Sequence, residues 1–182
     1  MDNGNIQDPT PAAGESSNIH HKIGHLTRQL HDALKELGYA AHGWNRGRNN
    51  GLRPGVEAGL DARLAELSQR YQRKVSLVGW SLGGVYAREM ARRMPQLVRQ
   101  VITLGSPFGG HPRATNAWRT YEVVSGQSAE NYNEHLGGDM SRTPPVPTTA
   151  IFSRTDGICA WQNCVEQPGT YAENIEVQGA SH

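Results

Sequence analysis

Ser81 sits at the centre of Gly79-Trp80-Ser81-Leu82-Gly83, a G-x-S-x-G pattern that can present a serine hydroxyl as a nucleophile. A serine hydroxyl is weakly nucleophilic near neutral pH, so the role requires a base in reach and an acid to orient that base. In the chain order serine, acid, histidine, the candidates become few. Of the eight histidines, His20, His21, His25, His31 and His42 precede Ser81, while His111 and His135 follow it but precede the best acid. Only His182 lies beyond. That acid is Asp156, in Ser153-Arg154-Thr155-Asp156-Gly157; Asp139, Glu166 and Glu173 compete, but each sits in a polar loop or near the start of a strand. The backbone N–H of Leu82, the residue after the serine, is the expected oxyanion donor. The plainer readings are a glycine-rich loop around Ser81, an Asp-Gly turn at Asp156 and an exposed terminal residue at His182.

The elements needed to position these residues can be read from periodicity. Val75, Leu77 and Val78 form an apolar run of strand length that reads as a buried strand. Leu82, Val85, Tyr86, Met90 and Met94 then recur at helical spacing until Pro95, so a helix begins at the serine itself. A tight turn between the two leaves little room, and the glycines two before and two after Ser81 are expected to supply clearance, with Gly84 adding more where the helix meets the sheet. Asp156 follows the strand-like run Val146 to Phe152, and His182 follows Ile175, Val177 and the turn Gly179-Ala180-Ser181. Residues after parallel strands collect at one edge of an open α/β sheet.

Elsewhere, Ile23, Leu26, Leu30, Leu34 and Leu37 mark a first helix ending at Gly38, Tyr39 to Gly43 reads as a short strand, and Leu60, Leu64, Leu67 and Tyr71 mark another helix. Val98 to Leu104 is the strand after the serine's helix. Alternating helices and strands imply a mainly parallel sheet with helices on both faces. The organisation expected is a flexible segment over 1–18 and a single domain over 19–182, with a cap-like insertion around 110–146.

Together these motifs resemble the α/β-hydrolase superfamily, in particular bacterial lipases and esterases with a nucleophile elbow. The resemblance runs from about Leu37 to His182 and includes Thr103-Leu104-Gly105-Ser106-Pro107-Phe108-Gly109-Gly110 and Gly179-Ala180-Ser181-His182. It implies a catalytic triad of Ser81, Asp156 and His182, Leu82 as an oxyanion donor, and an ester or lipid as substrate. Phe108 stands where such proteins usually carry His, at a position that shapes the pocket; Trp80, Phe108 and Trp118 are the expected pocket residues, with Tyr121 and Tyr132 as further aromatic candidates. Two parts of that fold are not legible: an apolar strand before the first helix, with its loop supplying a second oxyanion donor, and a helix after His182. The expectation is therefore a domain lacking its N-terminal strand or strands and its C-terminal helix, possessing marginal stability.

Composition narrows the partners. With 18 basic and 17 acidic side chains, and no basic run interleaved with aromatics, a nucleic-acid surface is not expected. No run of membrane-spanning length and no leader-like segment occurs, which points to a cytoplasmic location. Cys159 and Cys164 are the only cysteines; no histidine lies near them in sequence, so no metal is expected, and they stay thiols in a reducing compartment or bridge in an oxidising one. No cofactor is needed for acyl transfer to water, because the ester carbonyl is already electrophilic. Two other functions fit the same residues: an acyltransferase with the same triad, and a non-catalytic, incomplete hydrolase-like domain.

Overall fold

In a computed structural model that describes residues 13–45, 55–109 and 140–182, the chain divides into two units, 1–43 and 44–182. Among the described residues, the first holds one helix, α1 (Ala13–Glu36). It begins before the apolar repeat, so Ala13 to Asn18, expected in the flexible segment, are its first residues. Once a helix is nucleated, each added residue contributes a hydrogen bond at little further cost, which carries it back beyond the first position of the repeat. Its end is set by Gly38 at φ +84°, where the N–H of Tyr39 donates to the Leu34 carbonyl at 3.0 Å and that of Gly38 to Lys35 at 2.9 Å. The segment 39–43, expected as a strand, is irregular: the Ala41 N–H turns back onto the Tyr39 carbonyl at 2.9 Å instead of entering a ladder.

The second unit alternates as periodicity predicts. Helix α2 (Val56–Tyr71) precedes β1 (Val75–Trp80), α3 (Leu82–Arg93) and β2 (Val98–Leu104); β3 (Thr148–Phe152), a 3-10 turn (Trp161–Cys164) and β4 (Ala172–Glu176) follow. Among the described residues, the strands form a four-stranded parallel sheet in the order β1-β2-β3-β4. Leu60 and Leu64 of α2 join Leu82, Val85, Tyr86 and Met90 of α3 over Val98, Val101 and Ala150 of the sheet in one core. Because α2 and α3 share that face, the strands alternate in burial. Val78, expected in a strand buried on both sides, is exposed, as are Ser76 before it and Ile175 on β4.

Pairing continues beyond the strand ends, and this aligns the loops that follow them. The Ser81 N–H donates to the Leu104 carbonyl at 2.9 Å, Gly105 to Ile151 at 2.9 Å, and Val177 to Phe152 at 2.8 Å. The carboxyl ends of β1, β2, β3 and β4 thus lie side by side, and each exits toward the same edge.

Candidate active site

Ser81 takes φ +51° and ψ −125° between β1 and α3, a conformation few non-glycine residues adopt. It is 2% exposed, and its Oγ has no hydrogen-bond partner among the described residues. The turn is as tight as the glycines anticipate, though not at every glycine. A Cβ on Gly79 would lie 2.4 Å from the Gly83 backbone, and one on Gly84 would lie 2.0 Å from Ser106 Oγ. At Gly83 a Cβ would meet nothing within 4 Å among the described residues, so among them clearance two residues after the serine is not what that position supplies. Leu82 opens α3, where the first N–H groups have no partner within the helix and carry the positive end of its dipole.

Asp156 and His182 come together. Asp156 Oδ2 accepts from His182 Nδ1 at 2.9 Å, and Oδ1 accepts the backbone N–H of Ile158 at 2.9 Å and of Cys159 at 2.8 Å. Both carboxylate oxygens are thereby oriented. Thr155 Oγ1 donates to the Ala180 carbonyl at 2.9 Å, tying the loop after β3 to the segment that carries His182. On the other side, the His182 ring meets Trp80 edge-on at 6.5 Å between centroids, which places it beside the residue preceding Ser81. Its Nε2 is buried without a hydrogen-bond partner among the described residues.

Protonation follows from these contacts. Burial alone would raise the Asp156 pKa, but the hydrogen bonds from His182, Cys159 and Ile158 outweigh it and hold the carboxyl below its ordinary value of 3.8. Burial alone would lower the pKa of His182; the hydrogen bond to Asp156, the neighbouring Cys159 and the charge of Asp156 overcome it and raise it to about 9. The Cys159 thiol, next to Cys164 and buried, is pushed well up and stays protonated.

The other expected residues divide. Trp80 is half-buried beside His182. Phe108 is 1% exposed and sits in the core, its ring under the Arg88 guanidinium at 3.6 Å, so it is a packing residue and not a wall of an open pocket. Trp118, Tyr121, Tyr132, Asp139, His111 and His135 lie outside the described residues, as do positions 110–139 of the cap-like segment. Of the competing acids, Glu166 is fully buried against Arg88 and accepts from Thr143 Oγ1 at 2.7 Å, and Glu173 accepts from Thr149 Oγ1 at 2.9 Å; neither reaches the histidine.

Two positioning residues carried no assignment from the sequence alone. Gly105, at φ +49°, passes so close to the pair that a Cβ there would lie 3.0 Å from Asp156 Oδ2 and 3.3 Å from His182 Nδ1. The Leu104-Gly105-Ser106 motif was its signal. Thr155 lies within the Asp156 motif, but its reach to Ala180 depends on two loops that only the sheet brings together.

A parallel sheet with Ser81, Asp156 and His182 on the loops that leave three of its strands makes this an α/β-hydrolase superfamily protein. Residues 61–158, more than half of the chain, match the PGAP1-like alpha/beta domain, and the chain belongs to that family. No curated protein matches it. Among solved structures, the chain is similar to a monoacylglycerol lipase from Paleococcus ferrophilus, with TM-score 0.51 and 14% identity over 75% of this chain and 69% of that one. An esterase domain from Rhodothermus marinus gives TM-score 0.49 and 20% identity, over 69% of this chain and 60% of that chain. Bacillus licheniformis lipase BlEst2 gives TM-score 0.46 and 19% identity, over 69% of this chain and 65% of that chain. Among the described residues no helix is long and apolar enough to cross a membrane.

Proposed function

We propose that this chain is a serine hydrolase that cleaves carboxylic esters of small-molecule or lipid substrates through an acyl-enzyme on Ser81. The observation that carries the reading is the 2.9 Å Asp156–His182 pair, set on the same sheet edge as a serine in a positive-φ turn. In the mechanism, Ser81 Oγ attacks the ester carbonyl carbon while His182 Nε2 takes its proton. Asp156 accepts the Nδ1–H bond throughout, which fixes the tautomer with its lone pair on Nε2 and stabilises the imidazolium that forms. The Leu82 N–H donates to the tetrahedral oxyanion, and the alcohol leaves with the proton from Nε2. A water molecule, deprotonated by the same nitrogen, then attacks the acyl carbon; the acyl–Oγ bond breaks, Nε2 returns the proton to Ser81 Oγ, and the acid is released. The empty hydrogen-bonding capacity of Ser81 Oγ and His182 Nε2 suits this cycle, since apo catalytic hydrogen bonds often close only in the complex. Trp80, beside the histidine, supplies apolar surface for the acyl or alcohol group.

A fluorophosphonate probe followed by intact mass measurement tests the proposal. One adduct on the wild-type chain and none on Ser81→Ala is the expected result. A folded wild-type protein that takes no label overturns it.

A further inference from the structure

Three donors of different chemistry meet at the edge that carries His182. One ligand atom each of the Asp156 carboxylate, the Cys159 thiol and the His182 imidazole lies within 4.8 Å of the others, and all three side chains are buried. The hydrolytic cycle uses the carboxylate and the imidazole but has no task for the thiol. A valine would fill the same apolar cluster of Phe152, Ile158, Trp161 and Cys164 without placing a sulfur beside the base.

We propose that Asp156, Cys159 and His182 form a three-donor site for a borderline-soft divalent cation, Zn2+ foremost, and that its occupancy switches the hydrolase off. The donor set selects the metal. Sulfur, imidazole nitrogen and a carboxylate oxygen suit Zn2+, whereas Mg2+ and Ca2+ require oxygen shells that this site does not offer. With bonds of about 2.0 to 2.3 Å, donors of a tetrahedral zinc site stand roughly 3.5 Å apart, so donors now within 4.8 Å converge by about an ångström of side-chain rotation. Asp156 and His182 are closer than that, at 2.9 Å, so the cation replaces the proton between them. Three protein ligands leave the fourth position to water.

The proton balance makes binding inhibitory. The metal forms bonds to Sγ, to a carboxylate oxygen and to one ring nitrogen; the thiol proton leaves to solvent because a coordinated thiol is deprotonated, and where His182 is an imidazolium one of its two ring protons leaves with it. Coordination through Nδ1 moves the remaining ring proton to Nε2, which then cannot accept a proton from Ser81. Coordination through Nε2 takes that lone pair directly. Either way the base is lost, and removal of the metal restores it.

The inhibitory half of this proposal rests on the hydrolase reading; the site itself does not, and two readouts separate them. The full chain, stripped of metal with chelator, is titrated with Co2+ and then with Zn2+ in competition with a chromophoric chelator. A thiolate-to-cobalt charge-transfer band in the near ultraviolet, absent in Cys159→Val, retained in Cys164→Val and bleached by Zn2+, is expected. Zn2+ binding should weaken in Cys159→Val by about a hundredfold, the upper end of what even an outer-sphere partner of a metal site contributes. No such band on the wild-type chain, or equal Zn2+ affinity in a Cys159→Val protein folded by circular dichroism, overturns the site. Should Cys159→Val fail to fold, Cys159→Ser takes its place, and the wild-type band remains decisive. The second readout is fluorophosphonate labelling with and without Zn2+. Labelling slowed by Zn2+ and recovered with chelator, with Cys159→Val resistant, supports the switch. A band with labelling indifferent to Zn2+ overturns the inhibitory half, and a band on a chain that never labels places the failure in the hydrolase reading.

Discussion

At the residue scale, Gly105 is as constrained as Ser81. Alanine there must hold φ +49°, at a cost of about 1 to 2 kcal/mol, while its Cβ pushes on Asp156 Oδ2 from 3.0 Å. If Asp156 and His182 act in the proposed hydrolysis, a displacement near 1 Å there costs about a hundredfold in rate. Gly105→Ala should therefore lower the melting temperature modestly and kcat/KM by roughly that factor, as thermal melts and ester turnover would show. The charge state of His182 sets the pH dependence. In the proposed mechanism the base must be neutral, so kcat/KM rises with pH, and its midpoint should lie above 6.5, toward about 9. A pH-stat profile measures this, and Asp156→Asn should move the midpoint down while reducing kcat on the order of ten-thousandfold, the loss seen in a serine-protease triad. The same shifts bear on stability with opposite signs. The contribution of Asp156 is present above 3.8 and lost as pH falls through its lowered pKa, and that of His182 is complete below 6.5 and lost as pH rises through about 9.

At the element scale, the turn between β1 and α3 explains which glycines matter. Gly79 and Gly84 stand where backbone meets backbone and where α3 meets Ser106; at Gly83 no described residue lies within 4 Å of an added Cβ. Gly79→Ala and Gly84→Ala should fail to give a cooperative melt. Gly83→Ala should fold and gain some of the up to about 1 kcal/mol by which alanine exceeds glycine in a helix, measurable by denaturant titration. Alternation of apolar residues was enough to locate α2, β1, α3 and β2, because periodicity is a local property of the chain. Burial on both faces of β1 was not legible, because it depends on what packs on each face. Nor was the missing ladder at 39–43, since a strand needs a partner that no local pattern names.

At the scale of the whole molecule, Arg88 and Glu166 hold three distant stretches together. Arg88 pairs with Glu166 in the interior, covers Phe108, and donates from Nη2 to the carbonyls of Met140 at 3.2 Å and Arg142 at 3.1 Å. The Glu166 backbone in turn exchanges two hydrogen bonds with the Asn174 side chain of β4 at 2.8 and 2.9 Å. Replacing Arg88 by Met leaves a buried carboxylate without its cation and should cost about 3 to 5 kcal/mol, with part of it recovered in Arg88→Met/Glu166→Gln; a double-mutant cycle in urea tests this. Glu166 shows why sequence could rank the acids only by order: an unpaired surface carboxylate and one locked on an arginine look alike in one dimension. The order of elements, the turn at Ser81 and the placing of Asp156 and His182 after parallel strands were legible in the sequence itself, because they depend on short-range spacing and on the rule that parallel strands deliver their following loops to one edge. Only the tertiary structure decided that Gly105 passes against the pair, that Phe108 lies beneath Arg88, and that the Cys159 thiol stands beside His182. Those contacts join residues far apart in the chain, and they exist only where sheet pairing and side-chain burial bring them within a few ångströms.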